Sequence, residues 1–158
     1  MTPSTPQTKG TTRKGFRPHP YTLTLAHALY PTAGTHTTLI HTLITESLLL
    51  KDGLRPSPQE LALLHEKVLH LENTHAQKTL TSKGSATHGA SLGNRYPTIS
   101  LYFTDSQMAD LSTYMDLFPE FGTLNLMFKH ALFTMILYRG ISFQEVTHHF
   151  NTPRLATA

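Results

Sequence analysis

Pro-Thr-Ile-Ser-Leu-Tyr-Phe-Thr at 97–104 opens the most informative part of the sequence, residues 97–141. Polar and apolar side chains alternate in this opening, and a period of two places them on opposite faces of a β-strand. Three apolar residues therefore share the buried face: Ile99, Leu101 and Phe103. Three polar residues share the exposed face: Thr98, Ser100 and Tyr102.

Two helices are predicted after the strand. Thr104 is well placed as the N-cap of the first, because a hydroxyl there accepts a bond from a free backbone N–H. Four apolar residues at three- and four-residue steps then form one buried stripe: Met108, Leu111, Met115 and Phe118. Pro119 and Gly122 end this helix, and Thr123 can cap a second helix, whose broad apolar face indicates deep burial.

One short strand followed by two helices, with these spacings, resembles the ribbon-helix-helix family of DNA-binding proteins. A strand of about six residues is not stable alone, since even an isolated two-stranded hairpin is marginal. In this family the partner strand comes from a second copy of the unit. The resemblance therefore implies either a homodimer or a tandem repeat within one chain.

The resemblance also implies a set of DNA-contacting residues. Paired strands of this kind enter the major groove, where their outward side chains read base edges. The base-reading residues would be Thr98, Ser100 and Tyr102. The family also binds a phosphate with backbone amides at the start of its second helix. That site matches Thr123, Leu124 and Asn125, with Lys129 adding a positive charge nearby.

The sequence contains a candidate second copy of the unit. Ala-Leu-Tyr-Pro-Thr-Ala-Gly-Thr at 28–35 matches Asp-Leu-Phe-Pro-Glu-Phe-Gly-Thr at 116–123, at an offset of 88 residues. One interpretation is a tandem protein whose halves form a pseudo-dimer. The other is a chance likeness between two amphipathic helices that follow similar turns. The first strand would fall near residues 10–16, where no clean alternation is visible, so its existence is left open.

These patterns predict a mainly α fold: a ribbon-helix-helix-like unit of one short strand plus two helices, single or in tandem, with an additional helix between the copies. Six segments are expected: a basic disordered arm at 1–17, a first helical repeat at 18–53, a helical insertion at 54–84, a linker at 85–96, the ribbon-helix-helix-like unit at 97–141, and a short helix and tail at 142–158.

Positive charge is concentrated at the N-terminus. The arm carries four basic residues and no acid, against a net charge of +3 for the whole chain: Lys9, Arg13, Lys14 and Arg17. It can neutralise nucleic-acid phosphates or enter a minor groove, or it can simply be a solvated tail. The strand at 98–103 carries no arginine or lysine. DNA affinity would therefore depend on the arm.

The sequence gives little indication of a catalytic site or a metal site. The chain has eleven histidines and no cysteine, which excludes disulfides and thiolate metal sites. His65 and His70 are five residues apart, so on a helix they point about 140° apart and cannot hold one ion. No serine lies in a nucleophile-elbow pattern. We expect no enzyme activity, no catalytic residue, no metal and no cofactor, and a metalloenzyme remains the third hypothesis.

A DNA-binding role is the leading hypothesis. No apolar run approaches the ~20 residues that span a bilayer, so we expect a soluble, cytoplasmic protein without a membrane partner. Its partner would be double-stranded DNA, bound as a homodimer or tandem pseudo-dimer. It would act as a transcriptional regulator or as an accessory protein in plasmid mobilisation or partition. The alternative is a structural protein that coats nucleic acid, such as the helical coat protein of a filamentous virus.

Overall fold

The computed structural model describes residues 11–83 and 98–151. Its elements in chain order are β1 (Thr11–Phe16), α1 (Pro20–Leu29), α2 (His36–Leu49), α3 (Pro58–Lys83), β2 (Ile99–Thr104), α4 (Asp105–Leu117), α5 (Leu124–Tyr138) and α6 (Phe143–Asn151). A short 3-10 turn, Asp52–Leu54, separates α2 from α3. The described part of the chain is mainly helical, as predicted, with one small antiparallel sheet.

The sheet consists of β1 and β2. They pair antiparallel along their whole length, with Thr11 opposite Thr104 and Phe16 opposite Ile99. Residues that lie directly opposite each other project from the same face. The alternation predicted for β2 is confirmed, because Leu101 and Phe103 are buried and the predicted outward residues are exposed: Thr98, Ser100 and Tyr102.

The basic arm predicted for residues 1–17 is corrected by β1, which places residues 11–16 in the sheet. Phe16 is 1% exposed, and its ring meets the Phe128 ring edge-on at a centroid distance of 5.2 Å. Only Phe16 among the inward residues of β1 is apolar, which explains why the sequence shows no alternation there. Lys9 and the predicted linker at 85–96 lie outside the described residues.

The order strand, helix, helix occurs twice. The caps Thr35 and Thr123, which precede α2 and α5, are 88 residues apart, and so are the C-caps of α1 and α4, Tyr30 and Phe118. In the strands the spacing is one residue shorter, because the buried phenylalanines Phe16 and Phe103 are 87 residues apart. The two copies lie in one chain, and their strands pair with each other.

The centre of the core is α5, where every residue from Met127 to Ile136 is buried. It packs against α2 and α3, while α6 packs against α1. A buried polar cluster joins α3 to the rest. Glu72 of α3 accepts a bond from Lys129 Nζ of α5 at 2.9 Å, and Thr22 of α1 donates its hydroxyl proton to the other carboxylate oxygen. Through Glu72, the additional helix α3 is hydrogen-bonded to one helix of each copy.

Candidate nucleic-acid interface

The outward side of the sheet presents one continuous set of polar side chains. We call the ribbon face the set Arg13, Arg17, Thr98, Ser100 and Tyr102, all of which are exposed. Arg13 lies directly opposite Tyr102 in the strand register, and Tyr102 is 55% exposed. The three predicted base-reading residues, in β2 and just before it, thus share a face with two of the four predicted basic residues.

The two arginines are held by the hydroxyls of the neighbouring strand segment. Arg13 donates through Nε to Ser100 Oγ at 3.0 Å. Arg17 donates through Nε and Nη2 to Thr98 Oγ1 at 3.0 and 2.7 Å. The basic residues expected to act from a disordered arm are therefore placed beside the residues expected to read bases. The 88-residue repeat was the one signal for this arrangement, since it indicated where a first strand would fall, near residues 10–16, although no alternation there supported one.

Lys14 differs from these arginines. It lies opposite Leu101, on the inner side of the sheet, and is only partly exposed. Successive residues of a strand point to opposite faces, so Lys14 cannot project beside Arg13. The ribbon face therefore takes its positive charge from two arginines.

The starts of α2 and α5 are equivalent helix N-termini. The Thr123 hydroxyl accepts the Leu126 N–H at 3.2 Å, and the Thr35 hydroxyl accepts the Thr38 N–H at 3.1 Å. Asn125, in the first turn of α5, has a buried Oδ1 atom with no hydrogen-bond partner among the described residues. Thr123, Leu124 and Asn125 thus stand at a helix start, as predicted.

Lys129 does not belong to this helix-terminus site, and the prediction that it adds a charge there is corrected. Its ammonium lies 2.9 Å from Glu72, and both side chains are 9% exposed. A lysine at this position of α5 points towards α3, which packs on the same helix. Its charge is neutralised inside the core and is not available to a phosphate on the surface.

A separate cavity of about 470 Å³ lies between the start of α3 and the turn joining α4 to α5. His130 lines it, with Phe121 stacked on its ring at 4.2 Å and the Tyr114 hydroxyl bonded to its Nδ1 atom. Burial, together with the nearby Arg55 charge, lowers the pKa of His130 to about 4. Burial raises the pKa of Tyr114 to about 12. Both groups are therefore uncharged at neutral pH and poorly suited to proton transfer there.

The stability of the protein should fall as the pH is lowered from about 6.5 to about 4. The pKa of His130 is about 4 in the folded protein and near the ordinary histidine value of 6.5 in the unfolded chain, so the unfolded state binds more protons between these values and acid favours it. The loss from this residue is at most about 3 kcal/mol. His27, His36 and His65 act in the same direction, because burial lowers each pKa.

Urea denaturation at a series of pH values measures this dependence. The control is His130→Gln, which removes the titrating ring and should give a flatter profile than the wild type. Identical profiles for the two proteins would show that His130 is not responsible.

Two further properties concern only residues 11–83 and 98–151. No three side chains of His, Asp or Glu lie close enough together there to hold a metal ion. None of the helices in these ranges combines the length and the apolar character needed to cross a membrane.

No family model, curated protein or solved structure gives a significant match to this chain.

Proposed function

We propose that this protein binds double-stranded DNA by placing the ribbon face in the major groove, with both strands supplied by one chain. The observation that carries the proposal is the pairing of β1 with β2, which exposes Arg13, Arg17 and Tyr102 on one side. A major groove about 12 Å wide admits a two-stranded β-ribbon. The strand-helix-helix order in each copy agrees with the resemblance to ribbon-helix-helix proteins.

The helix starts support the same orientation on DNA. Thr35 and Thr123 cap α2 and α5, which occupy equivalent places in the two copies. Backbone N–H groups and the helix dipole make such an end favourable for a phosphate, whatever the side chains are. In the ribbon-helix-helix arrangement that the chain resembles, two such ends would bind phosphates on either side of the groove and fix the register of the protein on the duplex.

In this proposal the protein is a cytoplasmic regulator of transcription, or an accessory factor in plasmid mobilisation or partition. The coating-protein alternative depended on a basic disordered arm. Since residues 11–16 lie in β1, less of that arm remains to wrap nucleic acid. Groove binding also gives the exposed side chains of both strands a role, which coating does not require.

Selection of binding sites from a random pool of duplex DNA, using the full chain at moderate salt, tests the proposal. An enriched motif is the expected result, because base edges differ in the major groove and outward side chains can distinguish them. Retention of DNA without any motif would favour the coating alternative. No retention at all would overturn the proposal.

Tyr102→Ala should weaken binding to the selected motif by roughly fivefold, or about 1 kcal/mol, and affect random duplex less. The stability of the protein should hardly change, because the side chain is 55% exposed. Fluorescence anisotropy with labelled duplexes measures the affinities. Tyr138→Ala is the matched control. Tyr138 is 46% exposed, but it lies at the C-terminal end of α5, away from the N-cap Thr123. Equal effects of the two variants would contradict groove reading by Tyr102.

A further inference from the structure

We infer that the DNA target is non-palindromic and is bound in one orientation, with a guanine recognised by Arg13 on the β1 side of the ribbon face. This inference rests on the proposed function and specifies its substrate. It follows from the two strands being different in sequence while occupying equivalent places in the fold.

The two strands present different chemistry to the groove. Phe16 and Phe103 are the equivalent buried residues, 87 residues apart, and the same spacing relates the outward positions. Three outward residues of the β1 side therefore correspond to three of the β2 side. Arg13 corresponds to Ser100, Gly15 to Tyr102, and Arg17 to Thr104. One side carries two guanidinium groups and no bulky neutral residue, while the other carries hydroxyls only.

The Arg13 side chain is oriented in a way that suits recognition of a guanine base. Its Nε atom donates to Ser100 Oγ at 3.0 Å, and within the described residues its two terminal nitrogens have no hydrogen-bond partner. A pair of N–H groups from one arginine matches the O6 and N7 acceptors of guanine, which is the most frequent specific contact in the major groove. Because Ser100 already holds the side chain, less rotational freedom is lost when DNA binds.

Ser100 and Thr98 take a different role from the base reading implied by the resemblance. Each hydroxyl accepts hydrogen bonds from an arginine, Ser100 from Arg13 and Thr98 from Arg17. They are positioning residues, which act on DNA through the arginine that they hold. Specificity at the base pair contacted by Arg13 should therefore depend on Ser100 as well.

The asymmetry of the target follows from this distribution. A homodimer presents two identical strands and reads a palindrome. Here the β2 side presents the Tyr102 hydroxyl, which can donate to or accept from several bases and discriminates less than an arginine with guanine. We expect one half-site with a strong guanine preference and a second half-site that tolerates more sequences.

Two variants test the roles of the residues on the selected motif. Arg13→Gln should reduce discrimination at one G·C pair by roughly 5- to 150-fold. Ser100→Ala should reduce discrimination at that same pair by a smaller factor, and the double variant should be no worse than Arg13→Gln. Both variants should keep the wild-type unfolding midpoint, because both side chains are exposed. Loss of discrimination at a different pair in Ser100→Ala would show that Ser100 reads a base itself and would overturn its positioning role.

Orientation can be measured directly, because the chain has no cysteine and one can be introduced for labelling. Thr32→Cys, in the exposed turn between α1 and α2, would carry an iron–EDTA cleavage reagent. Cleavage on one flank of the motif is the expected result. A palindromic motif, or equal cleavage on both flanks, would overturn the inference while leaving DNA binding intact. Failure of the wild-type chain to retain any duplex would instead overturn the proposed function and the inference together.

Discussion

Lys129→Met should lower the free energy of unfolding by about 3–5 kcal/mol, because it leaves a buried carboxylate without its cationic partner. Lys129 Nζ lies 2.9 Å from Glu72 Oε1, and both side chains are 9% exposed. Thr22 donates to the second carboxylate oxygen, and His19 Nε2 lies 3.0 Å from the Glu72 backbone carbonyl oxygen. The Thr22 bond stabilises the carboxylate but supplies no charge, and the His19 contact is to the backbone of Glu72. Urea denaturation at neutral pH measures the loss.

The control for this variant is the double substitution Glu72→Gln and Lys129→Met. A neutral amide can still accept the Thr22 hydroxyl proton, and no charge is then buried, so most of the lost stability should return. Lys129→Met should also bind DNA with the same salt dependence as the wild type. A small loss of stability together with a reduced salt dependence would show that Lys129 reaches a phosphate after all.

Phe16→Ala should cost about 3–5 kcal/mol, the range for removing a large aromatic side chain from a core. Phe16 is 1% exposed and packs edge-on against Phe128 at 5.2 Å. Its removal leaves a cavity beside α5 and takes away the one apolar anchor of β1. Thr12→Ala is the control on the same strand, because Thr12 is exposed and should change stability by less than about 0.5 kcal/mol.

The same denaturation experiment distinguishes a sheet within one chain from a sheet between two chains. Because β1 and β2 belong to one chain, the unfolding midpoint should not change with protein concentration. A midpoint that rises with concentration would indicate that the strands pair between molecules.

For Phe16→Ala itself, a loss of stability below about 1 kcal/mol would show that β1 does not pack on α5.

Local signals predicted where the helices of the second copy begin, whereas Met115, predicted in the buried stripe of α4, is 36% exposed and Tyr114 is buried instead. Thr104 caps α4 in a reciprocal arrangement with Gln107, at 3.1 and 2.8 Å, and Thr123 caps α5. A short helix after Ser142 was also expected, and the Ser142 hydroxyl accepts the Glu145 N–H at 3.1 Å. These features depend on residues a few positions apart, so the sequence around them contains the information needed.

Neither the strand β1 nor the burial of Lys129 could be predicted from residues nearby in the sequence. The inward residues of β1 include Lys14, so no alternation indicates a strand, and its backbone hydrogen bonds come from β2, about 90 residues later in the chain. Lys129 looked available to a phosphate because only its distance along α5 from Thr123 was known. Its burial depends on Glu72 of α3, with which it has no sequence relation.

Local sequence patterns were enough to predict a mainly helical chain, an exposed face shared by Thr98, Ser100 and Tyr102, and capping threonines at the starts of α4 and α5. Periodicity and capping act over a few residues and can therefore be read locally. The location of Arg13 and Arg17 on this face and the burial of Lys129 follow from the tertiary fold. Both outcomes depend on pairing between segments distant in the chain, which hydrogen bonding and burial select once the chain is folded.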